Sequence, residues 1–183
     1  VDAVSAGEVY RALRVGYRPD TDPPGVVFTA DILDDDALVV VRAYGIPVNV
    51  GSADMLRQLA ADGYKGNVTI SINPGFGHGH SRKTNTGGDL SKHGVWYADL
   101  KDCLKLGKEL GLKIHGLHMH IGSGTDFEHL ATVSDAMVKA AAEMGPDLEV
   151  ISAGGGLPIP YHKEQPRIDV AAYPPLQAAA DHA

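Results

Sequence analysis

The chain has 183 residues, a formal net charge of −7 and one cysteine. That length suits one domain with a real core, and acidity without a basic stripe argues against nucleic acid or an anionic membrane as partner. No apolar run reaches the roughly 18 residues that span a bilayer, no signal peptide is expected, and a lone thiol at Cys103 cannot close an internal disulfide, which fits a reducing, cytoplasmic setting.

Strand and helix patterns alternate along the chain. Residues 1–4 read as the end of a strand; the chain does not begin with Met, so it is expected to be a piece of something longer. Ser5 and Glu8 have capping-box spacing, and Val9, Ala12 and Leu13 give the helical stripe that follows. A short apolar strand at 25–30 precedes a helix over 33–44, and the next strand is 46–50. Ser52 caps a helix through Met55, Leu56 and Leu59 that stops at Gly63. Residues 68–72 form a third full strand, and a polar loop rich in Gly and His runs from Asn73 to Gly94. Tyr97, Leu100, Cys103 and Leu104 mark a helix ended by Gly111, and a buried strand covers 113–121. Thr125 and Glu128 repeat the capping box before a helix through Leu130, Met137 and Met144. The last clear strand is 148–153, and the tail after Ala171 reads as one more helix.

This alternation implies about six parallel βαβ units in one domain over residues 1–183. The unusual residues, at 49–52, 73–80, 120–123 and 154–156, all follow strand C-termini. A barrel gathers those ends at one mouth, whereas an open doubly wound sheet uses mainly one switch point. The expected fold is therefore α/β, a partial (β/α)8 barrel incomplete at both termini.

The richest stretch is 115–124. On a strand, His118 and His120 share a face, and a Gly/Ser turn follows at once. Three readings stay open. The two imidazoles could be hydrogen-bonded core residues. They could be metal ligands, although spacing ties no third ligand to them, with His78 and His80 the nearest recruits. Or His120 faces a cofactor ring while the turn amides, Ser123 and a helix N-terminus take its phosphate. Gly154, Gly155 and Gly156 follow the last strand, where backbone can reach a ligand with no Cβ in the way. The loop 73–88 is long enough to be functional, and Lys83 and Lys92 are candidates for a substrate carboxylate. Asp2 sits at a strand end on the expected mouth.

Five stretches, 1–8, 27–31, 73–94, 118–124 and 152–156, resemble the diaminopimelate decarboxylase family, pyridoxal-phosphate enzymes of the alanine-racemase-like barrel class. The run Asn73-Pro-Gly-Phe-Gly-His-Gly-His80 with Thr84-Asn-Thr-Gly-Gly88 is the most specific of them, and it favours that family over the ornithine or arginine decarboxylases. The resemblance implies pyridoxal 5′-phosphate as cofactor and decarboxylation of meso-2,6-diaminopimelate to L-lysine. It implies His120 stacked on the cofactor ring, a phosphate contact from Ser123, the glycine loop 154–156 on the phosphate, and Asp2 and Glu8 near the cofactor. Lys92 and His80 become the expected substrate contacts, no metal is expected, and the partners implied are an amino-acid substrate and a second subunit. The family's cofactor-bearing lysine would precede residue 1, and its Glu-Pro-Gly-Arg segment and C-terminal β-domain would follow residue 183, so the chain alone is expected to be inactive. Ser71 stands where the family usually carries arginine. That departure keeps a non-catalytic cofactor-binding homologue open, beside a related basic amino-acid decarboxylase and a metal-dependent barrel hydrolase.

Overall fold

The structure is a computed structural model and describes residues 1–77, 85–124, 127–165 and 167. In chain order it runs β1 (Asp2–Ala3), α1 (Ala6–Arg14), β2 (Val27–Phe28), α2 (Asp35–Tyr44), β3 (Val48–Val50), α3 (Ala53–Ala61), β4 (Asn67–Asn73), β5 (Val95–Trp96), α4 (Leu100–Glu109), β6 (Lys113–His118), α5 (Phe127–Met144) and β7 (Val150–Ser152). The helix starts follow local chemistry. Ser5, Asp34 and Ser52 each accept a backbone N–H in the first turn of α1, α2 and α3. Glu8 closes the first cap from the other side, its carboxylate accepting the Val4 N–H at 2.7 Å.

Strands β1, β2, β3, β4, β6 and β7 lie side by side in chain order, all parallel. A doubly wound sheet reverses its order at a switch point. This one never does, so the wall is an arc of a (β/α) barrel with its helices on the outside. Side chains alternate across it. Outward, Phe28, Val50, Val68, Ile70 and Leu117 share one core with Val9, Val41, Leu56, Leu59 and Met137 from the helices. Each such large side chain contributes about 1.5–3 kcal/mol through burial. Inward, Thr29, Asn49, Thr69, Ser71, His118 and Ser152 line cavities. Barrel interiors are ordinarily filled by branched apolar residues; this one is polar.

Three expectations need correction. The strands at 25–30, 46–50 and 148–153 shorten to β2, β3 and β7, because the ladder is regular only where neighbouring strands are in register. The 113–121 strand ends at His118. Beyond it the backbone leaves β4 for the long loop. The Thr86 hydroxyl donates to the His120 carbonyl at 2.9 Å, the Thr86 N–H donates to the Ile121 carbonyl, and Asn85 bridges Gly122 antiparallel. His120 therefore lies past the strand rather than on it. The helix expected over 33–44 starts at Asp35, one residue after its Asp34 cap. The loop expected from Asn73 to Gly94 leads into β5, a strand not foreseen, which pairs parallel with the last two residues of β4, off the main wall. The tail helix expected after Ala171 and the Thr125 cap lie outside the described residues.

Candidate active site

Two turns at the C-terminal rim of the wall meet around His120. The ladder between β4 and β6 slips by one residue at Val68/Thr69, so His115 has no partner there and His118 faces Ser71. The Ser71 hydroxyl and His118 Nδ1 are 3.0 Å apart and hydrogen-bonded. Burial pushes the His118 pKa down to about 4, and the neighbouring His120 adds to this against the pull of Asp2. His118 is therefore neutral at pH 7. Burial also lowers the pKa of His120, and the charge of His93 acts in the same direction.

The glycines 154–156 approach that imidazole closely. A Cβ on Gly154 would lie 2.8 Å from His120 Cβ and 3.0 Å from its Nδ1; one on Gly156 would strike the Gly122 carbonyl oxygen. Both residues hold positive φ, 68° and 90°, which side chains rarely adopt. The Gly155 N–H donates to His120 Nδ1 at 3.4 Å, which leaves the ring proton on Nε2, and among the described residues nothing stands within 4 Å of where a Gly155 Cβ would be. The turn carrying Ser123 is tied in by the Gly124 N–H on the Gly156 carbonyl at 2.8 Å. Ser123, exposed at this junction, thus shares a rim with His120 and the glycine loop.

A cavity at the mouth is lined by Asn49, Ser71, Thr86, Lys92, His93, His118 and His120. Lys92 and His93 both reach Asp31 from the rim, at 3.5 and 2.8 Å. Asp2 lines a deeper cavity with Asn49, Thr69, His115 and His118, and accepts the Thr29 hydroxyl at 3.2 Å. Of the expected site residues, the structure gathers His120, Gly154, Gly155, Gly156, Ser123 and Lys92 at the mouth, with Asp2 just below. Glu8 is committed to the cap of α1. His78, His80 and Lys83 lie outside the described residues. Among the described residues no three His, Cys, Asp or Glu side chains gather as a metal site, so the paired imidazoles find no third ligand there.

Sequence reading singled out the stretches that hold Asn49, Thr86, Asp31 and His93 but gave none of the four a role. Asn49 had a signal, a lone amide inside an apolar strand. Thr86 and His93 lie in the stretch 73–94, but nothing local showed that they meet the rim, because the loop that carries them is positioned by Asn73. Its Oδ1 accepts the Gly75 and Gly88 N–H groups, and its Nδ2 donates to the Gly88 carbonyl.

The family model described as pyridoxal-dependent decarboxylase, pyridoxal binding domain, matches residues 1–180. The chain is 54% identical to a diaminopimelate decarboxylase of Streptomyces coelicolor over 182 residues, covering 98% of the chain and 41% of that protein. It is 51% identical to that of Escherichia coli K12 over 180 residues, covering 98% of the chain and 43% of the relative. A crystal structure of diaminopimelate decarboxylase superposes with a TM-score of 0.89 at 50% identity, covering 99% of this chain and 43% of that one. The chain thus spans under half the length of the curated relatives it matches.

Proposed function

The chain belongs to the pyridoxal-dependent decarboxylases, and from that premise we propose that the whole protein releases carbon dioxide from meso-2,6-diaminopimelate to give L-lysine. The observation that carries this is the glycine turn closed onto His120, in a chain 51–54% identical to two diaminopimelate decarboxylases. The cofactor of the family is pyridoxal 5′-phosphate, and the residues present fit it. A flat ring has an imidazole face at His120, and a phosphate has the turn at Gly155, where space is open.

When bound, the cofactor supplies a sink for the electron pair that departing carbon dioxide leaves behind. The residues of the chain orient it. His120, uncharged, would lie along one face of the ring. The amides of Gly154, Gly155 and Gly156 and the Ser123 hydroxyl would hold the phosphate end. Asp2 adds negative charge beneath the mouth. Lys92, at the rim, would take a substrate carboxylate, with His80 a second contact. The whole protein would work in the cytoplasm, in keeping with the free, buried Cys103 thiol, and as a homodimer.

The Ser71–His118 contact favours a second reading, a homologue that binds the cofactor without reaction. The test loads the whole protein with cofactor and measures carbon dioxide release from diaminopimelate, ornithine and arginine. Release from diaminopimelate, at a kcat/KM about a hundredfold or more above the other two, is the expected result. Release from ornithine or arginine alone would move the substrate, and cofactor binding without release from any would favour the silent homologue.

A further inference from the structure

Asp31, Lys92 and His93 meet at the rim of the mouth. The Asp31 carboxylate takes Lys92 Nζ at 3.5 Å, and His93 Nδ1 stands 3.0 Å from its Oδ1 and 2.8 Å from its Oδ2. An ionised carboxylate only accepts, so Nδ1 is the donor. The other ring nitrogen, Nε2, has no partner among the described residues. In the uncharged ring it therefore presents a lone pair. Lys92 has N–H groups to spare, because an ammonium carries three and Asp31 takes one. The Lys92 side chain is 77% exposed and that of His93 38%, so a ligand can reach both.

The cluster is fixed relative to His120. The His93 N–H donates to Ser91 Oγ at 3.2 Å, the Ser91 hydroxyl to the Thr86 carbonyl at 2.8 Å, and the Thr86 hydroxyl to the His120 carbonyl at 2.9 Å. All three side chains line the mouth cavity together with His120. β2, which precedes Asp31, and β7, which precedes the glycine turn, are separated by β3, β4 and β6. The cluster thus stands across the mouth from the glycines 154–156. Among the described residues lining that cavity, Lys92 is the one lysine or arginine and Asp31 the one carboxylate. A charged donor beside a carboxylate-backed acceptor is the complement of an amino-acid group, which carries one carboxylate and one ammonium. Ornithine and arginine have a single such group; a substrate with two would fill the clamp with one while the other reacts.

We infer that this cluster clamps the amino-acid group at the end of the substrate remote from the reacting carbon, Lys92 donating to its carboxylate and His93 Nε2, with Asp31 behind the ring, accepting from its ammonium. The inference rests on the mouth being an amino-acid site. It deepens that reading by making His93 and Asp31 determinants of substrate choice.

The test measures binding to the whole protein loaded with cofactor, as wild type, His93→Phe and Lys92→Met. Three ligands each bring a bare amine to the reacting end. L-Lysine, the product of the proposed reaction, keeps the remote carboxylate and ammonium; 6-aminohexanoate keeps the carboxylate alone, and pentane-1,5-diamine the ammonium alone. His93→Phe should weaken L-lysine and pentane-1,5-diamine about tenfold and leave 6-aminohexanoate within about threefold. Lys92→Met should weaken L-lysine and 6-aminohexanoate about tenfold and leave pentane-1,5-diamine within about threefold. Equal weakening of all three ligands by either variant would mean that the cluster only braces the rim, and would overturn the inference. So would unchanged binding in both variants, or no binding of any of the three by wild type. If the expected pattern is found but the whole protein releases no carbon dioxide from diaminopimelate, the proposed reaction fails and the clamp stands.

Discussion

Along β4 two faces of one strand do opposite work. Outward, Val68, Ile70 and Ile72 are at most 2% exposed and join the core beneath the helices. Inward, Thr69 and Ser71 line cavities, and Ser71 meets His118 across the ladder. The outer face holds the wall together through buried apolar area. The inner face arranges polar groups around a mouth. Substitutions on the two faces should therefore separate cleanly into losses of stability and losses of ligand binding.

The largest effect belongs to the outer face. Phe28→Ala empties a fully buried position and should cost about 4 kcal/mol in urea unfolding of the whole protein; a loss under about 1 kcal/mol would mean that the outer core is not where stability resides. Next comes pH. The folded-state pKa of His118 is lowered to about 4 from an ordinary 6.5, so between those values the unfolded chain binds more protons than the folded one. Stability from this group is fully present above pH 6.5 and is lost as pH falls toward 4, by at most about 3 kcal/mol. Urea midpoints measured from pH 7.5 down to 4.5 should decline across that window, and the His118 ring resonances should stay those of a neutral imidazole at pH 6. A charged ring at pH 6 would remove the basis for a buried neutral pair. Smaller again is Gly156→Ala, whose methyl would meet the Gly122 carbonyl at a positive φ. It should cost about 2 kcal/mol locally and weaken pyridoxal-phosphate binding in equilibrium titration, and it is the one change expected to touch both faces of the comparison. Cofactor binding at wild-type strength would separate the glycine turn from the site.

The sequence was legible where its signals were local. Ser5 and Ser52 start helices through their own side chains, and the order of strands follows from the alternation of patterns. It was illegible where a backbone changes partners. His118 and His120 read as two positions of one strand, yet the second leaves it because Thr86, over thirty residues away, captures its carbonyl. β5 was hidden for the same reason, since two residues carry no periodicity and only pairing with Ile72 and Asn73 makes them a strand. Asn49 was visible as a polar residue in an apolar run, but nothing in the run tells that its buried oxygen finds no partner.

The residue sequence by itself determined the parallel α/β plan, the helix caps, the polar rim of strand ends and the glycines able to come close to a ligand. These follow from propensities and spacings that act within a few residues. Only the tertiary structure decided which rim residues meet, where β6 ends, which histidine bonds Ser71 and which buried acceptor is left without a partner. Those outcomes depend on register between strands and on a loop pinned by Asn73, and such contacts are set by the closure of the wall rather than by any stretch of chain alone.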